Sequence, residues 1–120
     1  MDRNFWFAVD TLVAKSEIMI DRPKGSIHPR HPAVVYPLDY GYLVGTRSGD
    51  QGEVDLWIGG LEGQRVTGIV CTIDLDKGDA EIKFLLGCTE KESQEIVAFH
   101  NQRRQSGILI KRDDPKSTQT

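Results

Sequence analysis

Half of the acidic residues in this chain, nine of eighteen, fall between Asp39 and Glu81, where only Arg47, Arg65 and Lys77 oppose them. Asp50 and Asp55 flank a loop-to-strand junction, Asp76 sits in a turn, and Glu81 lies just past it on the returning strand. Glu81 and Lys83 are two residues apart on that strand and therefore share a face. Acids at loop and strand ends are free to converge. Several carboxylates around one pocket repel one another unless cations neutralise them. Oxygen donors without a Cys/His cluster favour Mg2+ or Mn2+ over Zn2+. The plainer alternative is that these acids solvate turns, and spacing alone leaves both readings open.

The elements that must position these residues are legible in outline. Residues 4–15 place Phe5, Val9, Leu12 and Val13 at helical spacing. A short strand at 17–20 leads into 21–32, where Pro23, Pro29 and Pro32 preclude a regular ladder and predict an extended loop. Strands are expected at 33–36 and 40–44 about Pro37, at 54–58 before Gly59-Gly60, and as an antiparallel pair at 65–74 and 80–88. Thr89 with Glu92 forms a capping box for a helix over 89–105. A short strand at 107–110 and a flexible polar tail at 111–120 complete the chain. Short strands with an N-terminal and a C-terminal helix predict an α+β fold, a small closed or nearly closed antiparallel β-barrel of OB-like type.

The length, 120 residues, suits a single domain over 1–110 plus the tail. No run of about 18 apolar residues exists, and the N-terminus lacks a secretory pattern, so the expected location is the cytoplasm. Cys71 and Cys88 are too few for a disulfide framework and read as buried thiols. The acidic centre disfavours a basic nucleic-acid surface, and neither nucleic acid nor membrane is an expected partner. Trp6 and Trp57, if exposed, would mark an interface.

Four segments in order resemble the soluble family I inorganic pyrophosphatases. Ile20-Asp21-Arg22-Pro23-Lys24-Gly25-Ser26 is similar to their I-E-I-P-K-G-S stretch, and Tyr36-Pro37-Leu38-Asp39-Tyr40-Gly41-Tyr42 to Y-P-x-D-Y-G-[YF]. Asp50-Gln51-Gly52-Glu53-Val54-Asp55 stands where the family has D-x-D-x-x-D, and Asp76 through Lys83 fits D-x4-D-x-K. The resemblance implies a pyrophosphatase-type barrel and Mg2+-dependent hydrolysis of a phosphoanhydride. Pyrophosphate is the first substrate and another diphosphate, such as a nucleotide, the alternative. It also implies Asp50, Asp55, Asp76 and Glu81 as metal ligands, with Lys24, Arg30, Tyr40 and Lys83 on the phosphates. Asp21 takes the place of a pocket glutamate, and the expected assembly is a homo-oligomer.

Three departures qualify the match, one being that the family's Tyr-Lys pair after the last helix has no clear counterpart among Asn101, Arg103 and Arg104. Gly52 replaces the aspartate that acts on the attacking water, leaving Glu53 as its neighbouring substitute. The hairpin that supplies further phosphate contacts is reduced to the loop 27–33, so Arg30, Lys24 and His28 are the nearest replacements. The second reading is a degenerate relative that binds phosphate or metal without turnover.

Overall fold

The computed structural model describes residues 3–49, 51–63 and 65–113. Helix α1 (Arg3–Lys15) precedes strands β1 (Ile18–Arg22), β2 (Asp39–Leu43), β3 (Val54–Ile58), β4 (Val66–Asp74) and β5 (Asp79–Leu86); α2 (Glu90–Phe99) and β6 (Gln105–Lys111) follow. The six strands form one sheet in the order β1-β2-β3-β5-β4-β6, with β1 and β6 as its edges. This is the expected α+β barrel, nearly closed, with one departure from an antiparallel pattern: β3 and β5 run parallel. The chain leaves β3 through Gly59-Gly60 and skips a strand position before β4. The β4–β5 hairpin then returns β5 into the vacant slot.

The sheet buries both faces. On one, α1 packs Trp6, Val9 and Val13 over Leu43, Leu56, Val66, Ile69, Phe84 and Leu86. On the other, Trp57, Val70 and Leu85 pack with Tyr36, Leu38, Cys88 and Ile96 of α2. Trp6 and Trp57 are thus core residues, and neither is available to mark an interface. Both cysteines are free thiols; Cys88 is buried and Cys71 half-buried.

Gly41 in β2 shows why one motif position admits no side chain. A Cβ there would collide with the backbone carbonyl of Met19 on β1, beside the bulge between Ile20 and Arg22. The capping box of α2 forms as expected: Thr89 Oγ1 accepts the Glu92 amide at 3.1 Å, and Glu92 Oε1 accepts the Thr89 amide at 2.8 Å.

Three expected boundaries move. β1 extends through Asp21 and Arg22, because β2 offers a partner that a proline-rich reading does not foresee. Residues 33–36 make only an isolated bridge, Ile27 with Val35; the prolines at either end stop the ladder. Helix α2 ends at Phe99, six residues early, since the exposed flank of β4 takes Gln105–Lys111 as its partner. Arg103, in the turn between, adopts φ 58°, which no helix accommodates. Lys111 therefore belongs to β6 and not to a tail, and Arg112 forms a bidentate pair with Asp10 (2.7 and 2.8 Å). Residues 114–120 lie outside those described.

Candidate active site

Tyr40 on β2, Asp55 on β3 and Lys83 on β5 meet because three neighbouring strands present them on one face. Tyr42 pairs with Asp55 and Tyr40 with Trp57, so Tyr40, Asp55 and Trp57 point the same way. Leu56 pairs with Phe84, which brings Asp55 level with Lys83. The Tyr40 hydroxyl donates to Asp55 Oδ2 at 2.7 Å. Lys83 Nζ donates to the same hydroxyl at 2.9 Å and to Asp55 Oδ2 at 3.1 Å. Lys83 is only 5% exposed, and its ammonium also lies 3.6 Å from Glu81. Lys77 continues the alternation of charge, 3.8 Å from Glu81 and 3.3 Å from Asp79. Burial, and then the Asp55 carboxylate, push the Tyr40 hydroxyl well above its ordinary titration range, so it stays protonated as a donor.

These groups form the floor of a cleft of about 660 Å3, walled by Tyr36, Phe99 and His100 and rimmed by His28, Arg30, His31, Arg103 and Arg104. A larger groove of about 900 Å3, between α1 and β4–β6, is apolar apart from Glu81 and a few hydroxyl groups. Convergent polar chemistry belongs to the smaller cleft.

A buried relay ties the cleft wall to the turn that carries Asp76 and Lys77. Trp57 Nε1 donates to His100 Nε2 at 3.0 Å, and an indole nitrogen is only a donor. The neutral imidazole therefore carries its proton on Nδ1 and donates it to Gln105 Oε1 at 2.8 Å. Gln105 Nε2 donates to Asp74 Oδ2 at 3.3 Å, and Asp74 Oδ1 accepts the amides of Asp76 and Lys77, both at 3.0 Å. Burial pushes the His100 imidazole down to about 4. Asp74 is lowered as well, chiefly by the Lys77 amide.

Of the residues singled out in the sequence, Tyr40, Asp55, Lys83, Glu81, Asp76, Arg30 and His28 line this cleft. Asp76 does not join the floor: its carboxylate is exposed at the rim, 2.6 Å from Arg104 Nε. Glu53, Asp21 and Lys24 are not among the lining residues. Glu53 accepts the Gly45 amide at 3.3 Å; it lies one residue before β3 begins, so the alternation that aims Asp55 into the cleft does not fix its direction. Asp21 is exposed on edge strand β1, and the Lys24 amide is held by Asp39 Oδ1 at 2.8 Å. Asp50 lies outside the described residues. His31, His100, Gln105 and Asp74 went unread in the sequence, for they sit in no motif and meet only through the tertiary fold.

The carboxylates do not form an ion cage as they stand. Lys83 engages both Asp55 and Glu81, Arg104 engages Asp76, and among the described residues no three His, Cys, Asp or Glu side chains converge to hold a metal. One buried side-chain oxygen among them, Asp79 Oδ1, lacks a hydrogen-bond partner, and Asp79 does not line the cleft.

No protein-family model matches the sequence, and no curated protein matches it significantly. Solved structures do. An inorganic pyrophosphatase from Helicobacter pylori is similar with a TM-score of 0.55 at 12% identity, over 83% of this chain and 84% of that one. An inorganic pyrophosphatase from Coxiella burnetii is similar with a TM-score of 0.54 at 13% identity, over 84% and 86%. At such identity the likeness is one of fold, and this chain has a divergent pyrophosphatase-like fold.

Proposed function

We propose that the chain binds and hydrolyses a phosphoanhydride in the Tyr40–Asp55–Lys83 cleft, with inorganic pyrophosphate as its first substrate. The observation that carries the reading is the buried Lys83 ammonium, held by Tyr40 and Asp55 at the floor of a polar cleft on this fold. Lys83 and Arg30 hold phosphate oxygens and balance charge developing on the leaving phosphate. Asp55 takes the proton of the attacking water, with its Oδ2 fixed by Tyr40 and Lys83. Glu53 and Asp21 stand away from the lining and reach the reaction only if the 44–53 loop or β1 shifts.

Mg2+, with Mn2+ second, is the cofactor implied by the sequence resemblance, and the described carboxylates do not by themselves make a cage for it. The same internal neutralisation favours a second reading, a protein that binds phosphate without turnover. A homo-oligomer remains the proposed assembly.

Phosphate release from pyrophosphate, with Mg2+, Mn2+ or EDTA, tests the reading. Release that falls by about 100-fold or more in Asp55→Asn is the expected result. Absence of release under all three conditions sinks hydrolysis and leaves the binding protein.

A further inference from the structure

Helix α1 covers only part of the sheet face on which it packs. In the register of β4 with β5 and β6, Ile69 lies between Phe84 and Ile110, and Cys71 between Ile82 and Ile108; Ile73 comes next on β4. All of them point to the α1 side, because Ile69 and Phe84 belong to the core under the helix and successive strand residues alternate. Exposure then rises along β4, from 3% at Ile69 to 51% at Ile73, as the strand runs out from beneath α1. Ile82, Ile108 and Ile110 are exposed by 44%, 64% and 43%, and Phe5 of α1 by 43%. Most of these residues line the 900 Å3 groove. Among the described residues Glu81 is the one charged residue along it, and alternation turns its carboxylate through the sheet to Lys83.

The bare rows have the size of an interface. Their exposures amount to about 450 Å2 of apolar surface, within the range of patches that mark interaction sites. One partner in a stable dimer brings about 800 Å2, of which a little over half is apolar, so the two areas agree. Residues 114–120 have no apolar side chain beyond Pro115 with which to cover the face. A second copy does so without burying a charge. A surface of β-branched side chains that presents neither cation nor carboxylate is complementary to itself, and two-fold pairing sets its rows against their own image. Sheets stack in this way about 10 Å apart with their side chains interdigitated. Edge-to-edge pairing is obstructed on β6, where Asn101 engages both the amide and the carbonyl of Gly107. An anionic lipid surface would call for cations, and among the described residues no Lys or Arg lines the groove.

We propose that two copies of the chain pair through this face, with β4, β5 and β6 of one stacked on the same strands of the other about a two-fold axis. Lys83 and Glu81 project from the opposite face of the sheet, so both clefts remain open on the outside of the dimer. The proposal gives the homo-oligomer of the preceding section its surface and rests on that reading of the assembly; it does not depend on hydrolysis.

Sedimentation velocity of the full chain over a concentration series tests it. The expected mass is twice the 13.5 kDa of one chain, or an even multiple of it. Ile108→Lys halves that mass and raises the dissociation constant at least about 100-fold, because each copy would bury an unpaired ammonium. Ile108 is exposed in a single copy, so this variant keeps the wild-type circular dichroism, and Ile73→Lys repeats the effect from the neighbouring strand. Val35→Lys, at an exposed site on the 23–38 loop, leaves the mass unchanged. Wild-type mass in both face variants, or an equal loss in Val35→Lys, overturns the proposal and leaves a homo-oligomer with another surface. A monomeric wild type overturns the proposal and the homo-oligomer together, whether the monomer stays free or floats with phosphatidylcholine vesicles.

Discussion

Lys83 holds together two carboxylates that would otherwise face each other, which makes it the residue whose loss is most informative. Replacing it with Met keeps the aliphatic stem but leaves Asp55 and Glu81 without their shared cation. Removing one partner of a buried pair costs more than the pair itself contributes, because the remaining charge stays desolvated. Asp55 retains some solvent access, so the expected loss is about 1–3 kcal/mol in urea unfolding. Lys83→Met with Asp55→Asn should lose less than the two single effects combined. Strict additivity would show that the ammonium and carboxylate do not interact. The positions of these residues were legible in the sequence, since Tyr40, Asp55 and Lys83 lie on strands where alternation fixes the face. Their mutual engagement was not, because spacing alone does not tell whether a carboxylate meets an ion or a lysine from a neighbouring strand.

At the scale of elements, the sequence missed where α2 ends, and the reason lies in β4. Helical periodicity in Ile96, Val97 and Phe99 continues plausibly into polar residues, but the uncovered edge of β4 recruits Gln105–Lys111 instead. That makes β6 an edge strand with exposed Ile108 and Ile110, a hazard for pairing with other chains. Asn101 blunts it. Its side-chain amide donates to the Gly107 carbonyl at 2.9 Å and accepts the Gly107 amide at 3.2 Å, standing in for a neighbouring strand. In Asn101→Ala the Gly107 amide is expected to lose protection from hydrogen exchange, and stability to fall by about 1 kcal/mol. The amides of Ile108 and Ile110, which face β4, should keep theirs. Unchanged exchange at Gly107 would show that the clamp does not cover the edge. Gly41, by contrast, is a position the motif already marked, and the nearby Met19 carbonyl gives its physical reason.

Across the whole molecule, His100 connects parts that the chain order keeps apart: β3 through Trp57, β6 through Gln105, and the β4–β5 turn through Asp74. No spacing rule could have drawn this link, since Trp57 and His100 are 43 residues apart. It also sets a pH dependence. The folded protein holds the imidazole neutral, with its titration moved from 6.5 down to about 4. A group depressed on folding contributes its stability in full above its unfolded value and loses it as pH falls toward the folded one. The window is therefore pH 6.5 to about 4, with a size of about 3 kcal/mol at most for a residue this buried. Protonation places a hydrogen on Nε2 against the Trp57 N–H, so the cleft wall and the turn bearing Asp76 and Lys77 loosen together. Asp74 contributes in the same direction at lower pH, since it too is depressed. Comparing wild type with His100→Gln isolates the imidazole: a glutamine offers an acceptor to Trp57 and does not titrate. Urea midpoints at pH 7, 5 and 4 should fall steeply for the wild type. For the variant they should be lower at pH 7 and nearly flat down to 5. Parallel declines in both proteins would assign the acid sensitivity to the carboxylates and leave His100 a packing residue.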